Sequence, residues 1–86
     1  MKEIEVGVVQ DYFAKIGVAA LGITAHGLKV GDEVHFKGHT TDFSQIIDSL
    51  QIEHAQVDEV GAGASAGTRV KDRVRAGDKV FKVVDG

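Results

Sequence analysis

Four histidines, His26, His35, His39 and His54, have the widest chemical range in a chain of 86 residues that contains no Cys. A neutral imidazole is a good zinc ligand, and three of them with Asp42 would make a suitable donor set. The spacing opposes it. His35 and His39 are four residues apart, about 13 Å along a straight strand, too far to share one ion. A turn at Gly38 could fold them together, but no second paired motif accompanies them. No metal is expected, and the histidines read as strand-end residues. Without Cys there is no disulfide, thiolate ligand or thiol nucleophile.

Ser49 and Ser65 are the nucleophiles that a His and an Asp could activate. A nucleophile elbow needs G-x-S-x-G, and Ala64-Ser65-Ala66 is only its nearest approach. No carboxylate pair stands out, so covalent or acid–base catalysis is not expected. The stretch Gly61-Ala62-Gly63-Ala64-Ser65-Ala66-Gly67 invites a phosphate-loop reading. A phosphate loop requires Lys then Ser or Thr after its last Gly, whereas Thr68-Arg69 follows Gly67. The dinucleotide fingerprint fails where Ala66 replaces the third Gly. The stretch reads as a tight loop where backbones pass closely, and no cofactor is expected. The chain is read as a binding protein, not an enzyme.

Binding chemistry is better represented. Between Arg69 and Lys82 stand six basic residues (Arg69, Lys71, Arg73, Arg75, Lys79, Lys82) and two acids, a local charge of +4 in a chain of net −3. The remainder carries −7, an asymmetry that can mark a docking face. The overall charge is not that of an obligate nucleic-acid binder, which must neutralise phosphates. Tyr12 and Phe13 are adjacent, so on a regular strand one of them points outward and could stack on a base. Phe36 and Phe81 lie on apolar strand faces and are expected in the core.

The elements that must position these residues are short. Eleven glycines and no Pro punctuate the chain, leaving little room for long helices. Ile4, Val6 and Val8 alternate with Glu5 and Gly7, the period of a half-buried strand. Val9 breaks the alternation, and a bulge there would re-aim Tyr12 and Phe13. Ala19, Leu21 and Ile23 share one face, leaving Ala20 and Gly22 on a face that another strand could approach closely. Val30-Gly31-Asp32-Glu33 is a turn, after which Val34 and Phe36 point inward. Phe43, Ile46, Ile47 and Leu50 form a helical stripe, yet Ile46, Leu50 and Ile52 also fit a strand. Thr68 to Lys71 is a strand, Arg75-Ala76-Gly77-Asp78 a second turn, and Lys79 to Val84 the closing strand. About six strands result, without a linker, in a single domain over residues 1–86. The N-terminus has no signal-peptide pattern, and the longest near-apolar run, Ile16 to Ile23, is far short of a membrane span of about 20 residues. A cytoplasmic, membrane-free protein is expected.

The order of these motifs resembles domain 2 of the translation GTPases, such as elongation factor Tu, a small antiparallel β-barrel. The matching pieces are Val6-Gly7-Val8-Val9, Leu28-Lys29-Val30-Gly31-Asp32-Glu33-Val34, Ser49-Leu50-Gln51-Ile52-Glu53, the loop Gly63 to Gly67, and Val74-Arg75-Ala76-Gly77-Asp78-Lys79-Val80. The resemblance implies an all-β, translation-factor domain 2-like barrel, and it turns Asp42 to His54 into a barrel strand. It places Gln51, His54 and Ser65 where the family holds the aminoacyl end of tRNA with Glu, Arg and Asn; all three are polar and none is identical. The implied function is a non-catalytic module docking tRNA, ribosomal RNA or a ribonucleoprotein through Gln51, His54, Lys71, Arg73 and Arg75. The same barrel type occurs as an appendage of collagenase-like peptidase relatives that modify RNA. That implies the alternative, a protein-interaction or accessory module for a larger enzyme.

Overall fold

The computed structural model describes residues 2–85, all in strands, turns and loops. Ten strands follow one another: β1 Lys2–Phe13, β2 Val18–Ile23, β3 Leu28–Lys29, β4 Glu33–Lys37, β5 Asp42–Ile46, β6 Leu50–Ile52, β7 Ala55–Val57, β8 Glu59–Val60, β9 Ser65–Arg69 and β10 Lys79–Val84. Eight form one antiparallel sheet in the order β5-β4-β10-β1-β2-β9-β6-β7, and β3 pairs with β8. The all-β expectation holds. The count of six strands was short because strands of two or three residues have no measurable period. Among the described residues no ladder joins the edge strands β5 and β7, so the sheet is not a closed barrel by backbone pairing.

β1 shows how the inward set is chosen. Its register slips between Glu5 and Gly7 against β10, and again between Val9 and Asp11 against β2. Each slip is a bulge that adds one residue to the spacing of inward side chains. Val6 and Val9 are both buried, Tyr12 packs on the core, and Phe13 is left outside. Gly7 is needed for a different reason: a Cβ there would collide with the carbonyl oxygen of Gly22 on β2. On β2, Ala19, Leu21 and Ile23 point inward as expected. Gly22 faces the Gln10 side chain, which a Cβ there would meet.

Phe36, Val34, Leu50, Ile47 and Val80 complete the buried centre. Phe36 stacks on Phe43 at a ring distance of 5.2 Å. Phe81 is a correction. It pairs with His35 across β10 and β4 and lies on the outer face, its ring 6.4 Å from the imidazole. The segment 42–54 is extended, not helical, but it is two strands in different parts of the sheet. Ile47 breaks it: buried, it exchanges backbone hydrogen bonds with Gly31 and Asp32, which end the run of β5.

The two Gly-Asp turns are built alike. In Lys29–Asp32 and Arg75–Asp78 the Asp amide donates to the carbonyl three residues back, at 3.0 Å in both. The Asp carboxylate then accepts the amide of that first residue, at 2.9 and 2.8 Å. Gly31 and Gly77 sit at φ 99° and 96°, a region closed to most side chains. G-D-x-V is thus the recipe for a turn.

Candidate functional site

β2, β9 and β6 lie side by side, and the strand period sends alternate residues outward. Leu21, Ala66 and Leu50 point into the core. Outward stand Val18 and Ala20 on β2, Ser65, Gly67 and Arg69 on β9, and Gln51 on β6. Val18 is opposite Arg69, Ala20 opposite Gly67, and Gln51 opposite Gly67 from the other side. These side chains are mostly small, so the outer face is a trough.

Two hairpin ends wall it. Phe13 accepts backbone hydrogen bonds from Ile16 and Gly17, at 3.2 and 2.9 Å, closing the β1–β2 turn. That turn leaves Phe13 46% and Ile16 68% exposed, and both line the trough. The opposite wall is the two-residue turn Glu53-His54 between β6 and β7. The trough has two adjoining parts of about 290 Å³ and 210 Å³, which share Ile16, Val18, Gln51 and Gly67. Glu53 lines the first part and Arg69 the second.

Glu53 and His54 have φ of 50° and 68°. Such a turn normally uses Asn-Gly, because both central residues need positive φ. For other residues the left-handed conformation costs about 1–2 kcal/mol each. Strain of this kind gathers at binding and catalytic sites.

The five residues expected to bind do not form one site. Gln51 and His54 line the trough, together with Ser65. Lys71 lies beside Gln45 and Arg69 where β5 passes β9. Arg73 and Arg75 border a separate polar cleft of about 340 Å³ with Thr40, Asp42 and Asp72. The basic segment is not one surface either. Lys79 pairs with Glu5 and Lys82 with Asp32, each at 3.4 Å. The charge run is therefore divided among three places and partly neutralised. Ile16, Val18 and Ala20 were not anticipated as lining residues. The signal for them is Phe13-Ala14-Lys15-Ile16-Gly17, a hairpin end carrying two large apolar side chains.

The histidines are dispersed. Among the described residues no His, Asp and Glu side chains are grouped as a metal site requires. His35 is held between two carboxylates: Nδ1 meets Glu3 of β1 at 2.9 Å, and Nε2 meets Asp42 of β5. The hydrogen bond to Asp42, aided by Glu3, raises the His35 pKa, and His35 lowers that of Asp42. Both ring nitrogens are engaged by acids, so His35 has none free to activate a nucleophile. A wider cleft of about 510 Å³ lies by His26, Lys29 and Glu59. Its Lys82 is paired with Asp32, and it lacks the exposed apolar wall of the trough.

No protein-family model matches the chain. The chain is 33% identical over 81 residues to an uncharacterized protease of Methanocaldococcus jannaschii, a match covering 93% of this chain and 20% of that protein. It is 32% identical over 82 residues to a collagenase of Porphyromonas gingivalis, covering 94% of this chain and 20% of that one. The chain thus spans about a fifth of the length of these relatives. Among solved structures it is similar to the C-terminal domain of a protein of Geobacillus thermoleovorans described as a U32 peptidase. Two crystal structures of that domain superpose with TM-scores of 0.84 and 0.85, at 22% and 23% identity. They cover 90% and 92% of this chain, and 96% and 91% of theirs.

These matches overturn the resemblance to domain 2 of the translation GTPases, and with it the docking of tRNA or ribosomal RNA. The physical reason lies in the motifs that carried it. The Gly-Asp turns and the Val-rich strand starts specify how antiparallel strands reverse, and unrelated barrels and sheets share that need.

Proposed function

We propose that this chain is a non-catalytic accessory module that works with a larger protein of the peptidase type. The observation that carries the reading is the 33% identity over 81 residues to a protein of which those residues are one fifth. What is matched is a folded unit that, in those relatives, accompanies about four times its own length. The site chemistry agrees: the trough offers apolar and strained residues suited to contact, and His35, the best-connected titratable group, is closed off by its own acids. A single domain over residues 1–86 belongs to the same proposal, as does a cytoplasmic location.

The proposal includes closure of the sheet. The Gln45 side chain on β5 donates to the Arg69 carbonyl at 2.8 Å and accepts from the Lys71 amide at 2.9 Å. A primary amide is a copy of the peptide group, so Gln45 supplies the pair of hydrogen bonds that a neighbouring strand would make. The seam between β5 and β9 is then the closing line of a small barrel.

The test is a chimera. The matching 82 residues of the Porphyromonas gingivalis collagenase are deleted, or replaced by this chain, and cleavage of collagen is followed. The expected result is activity lost on deletion and regained with the replacement, while this chain alone cleaves nothing. A chimera no better than the deletion, or collagen cleavage by the isolated chain, would overturn the reading.

A further inference from the structure

The trough has a polarity, and we infer from it that it binds an extended peptide segment of a protein partner, with a basic side chain at the Glu53 end and an acidic one at the Arg69 end. The inference rests on the reading of the chain as a binding module, but not on the partner being a peptidase.

The register sets the dimensions. Gln51 lies opposite Gly67 on antiparallel strands, and Glu53, in the turn that follows β6, lines the same part of the trough as Ser65. Ser65 and Arg69 are four residues apart on β9, about 13 Å. An extended peptide covers that distance with five residues and shows side chains i, i+2 and i+4 on one face. The central one falls over Ala20 and Gly67, beside Ile16 and Phe13. These last two are among the four large apolar side chains that the described residues leave exposed.

Charge complementarity selects the ends. Glu53 and Arg69 are exposed, and neither is in an ion pair among the described residues. A segment with opposite charges at both ends satisfies each of them, and a segment of one sign meets repulsion at one end. A second copy related by a two-fold axis would also set Glu53 against Arg69, so self-association is the competing outcome that the experiment separates. The strain at Glu53-His54 fits the same purpose, since it holds a carboxylate at the rim of the trough in place of the relaxed Asn-Gly pair.

The experiment is an amide NMR titration of the intact chain with acetyl-Lys-Ser-Leu-Ser-Glu-amide, to about 10 mM. Saturable shifts are expected at Ile16, Val18, Gln51, Gly67 and Arg69. Acetyl-Glu-Ser-Leu-Ser-Glu-amide should bind about fivefold more weakly, the scale of one exposed ion pair. Glu53→Lys should reverse that order, because both ends of the trough are then basic. Ile16→Ser, at an exposed position that leaves the fold intact, should abolish the shifts with both peptides. Three results would overturn the inference: no saturable shift in the trough, a peptide preference that Glu53→Lys leaves unchanged, or self-association of the free chain that Ile16→Ser removes. The chimera assay stands independently, so loss of the peptide site would leave the accessory reading to its own test.

Discussion

Nδ1 of His35 faces Glu3 and Nε2 faces Asp42, and a neutral imidazole has one N–H to offer two acceptors. Only the imidazolium donates to both, so the cluster favours the protonated ring. The sign follows. The His35 pKa rises above its ordinary 6.5, so its contribution to stability is complete below that value and is lost as pH rises through the raised one. The Asp42 pKa falls below its ordinary 3.8, so its contribution is present above that value and is lost as pH falls through the lowered one. Glu5 and Lys79 beside the cluster satisfy each other, and Lys37 adds to the lowering of Asp42. Urea midpoints measured across pH should show a plateau between about pH 4 and 6.5 and a decline above it. His35→Gln should flatten the upper decline, and a decline that survives this substitution would remove His35 as its source. His35 and Asp42 were legible beforehand as groups with chemistry, and Glu3 and the meeting of the three were not. Glu3 reaches His35 across β10, 32 residues further along the chain, and no local spacing encodes that.

At the scale of elements, turns carry the clearest energetic tests. Replacing Glu53-His54 by Asn-Gly relaxes two left-handed residues at about 1–2 kcal/mol each, and the substitution should stabilise the protein by about 2 kcal/mol or more. Thermal unfolding reads the gain, and the peptide titration should show the accompanying loss of binding. Gly77→Ala tests the opposite case. Nothing lies within 4 Å of the added Cβ, so only the φ of 96° opposes it. A destabilisation of about 1 kcal/mol by urea unfolding is expected, and an unchanged midpoint would show that the turn relaxes freely. These Gly-Asp turns were plain in the sequence because their chemistry is contained in four residues. The Glu53-His54 turn was not, because neither residue type announces positive φ. The stripe Phe43, Ile46, Ile47 and Leu50 failed as a helix for a related reason. Ile47 is held by Gly31 and Asp32, and a long-range partner overrides a local period.

At the scale of the whole molecule, Gln45 ties β5 to the end of β9 by two hydrogen bonds. Gln45→Ala removes both bonds between β5 and the end of β9, and should cost about 1 kcal/mol. Hydrogen exchange at the Lys71 amide should quicken more than at amides within β1 and β2, and equal acceleration everywhere would deny Gln45 a local role. The radius of gyration, 11.4 Å, is close to the roughly 12 Å expected of a compact domain of this length. The all-β class, the closing strand β10, the inward faces of β2 and β4, and the two Gly-Asp turns could all be read from the residues. Each of these follows from the period of a single strand or from the φ demanded at a single residue. The assembled sheet alone brings Gln51 and His54 into a trough with Phe13 and Ile16, and sets Lys71, Arg73 and Arg75 apart from it. It also sets His35 between two acids. Those arrangements depend on the order of strands across the sheet, and that order is set by which non-local pairings bury the most apolar surface, a sum over the whole chain that no local pattern contains.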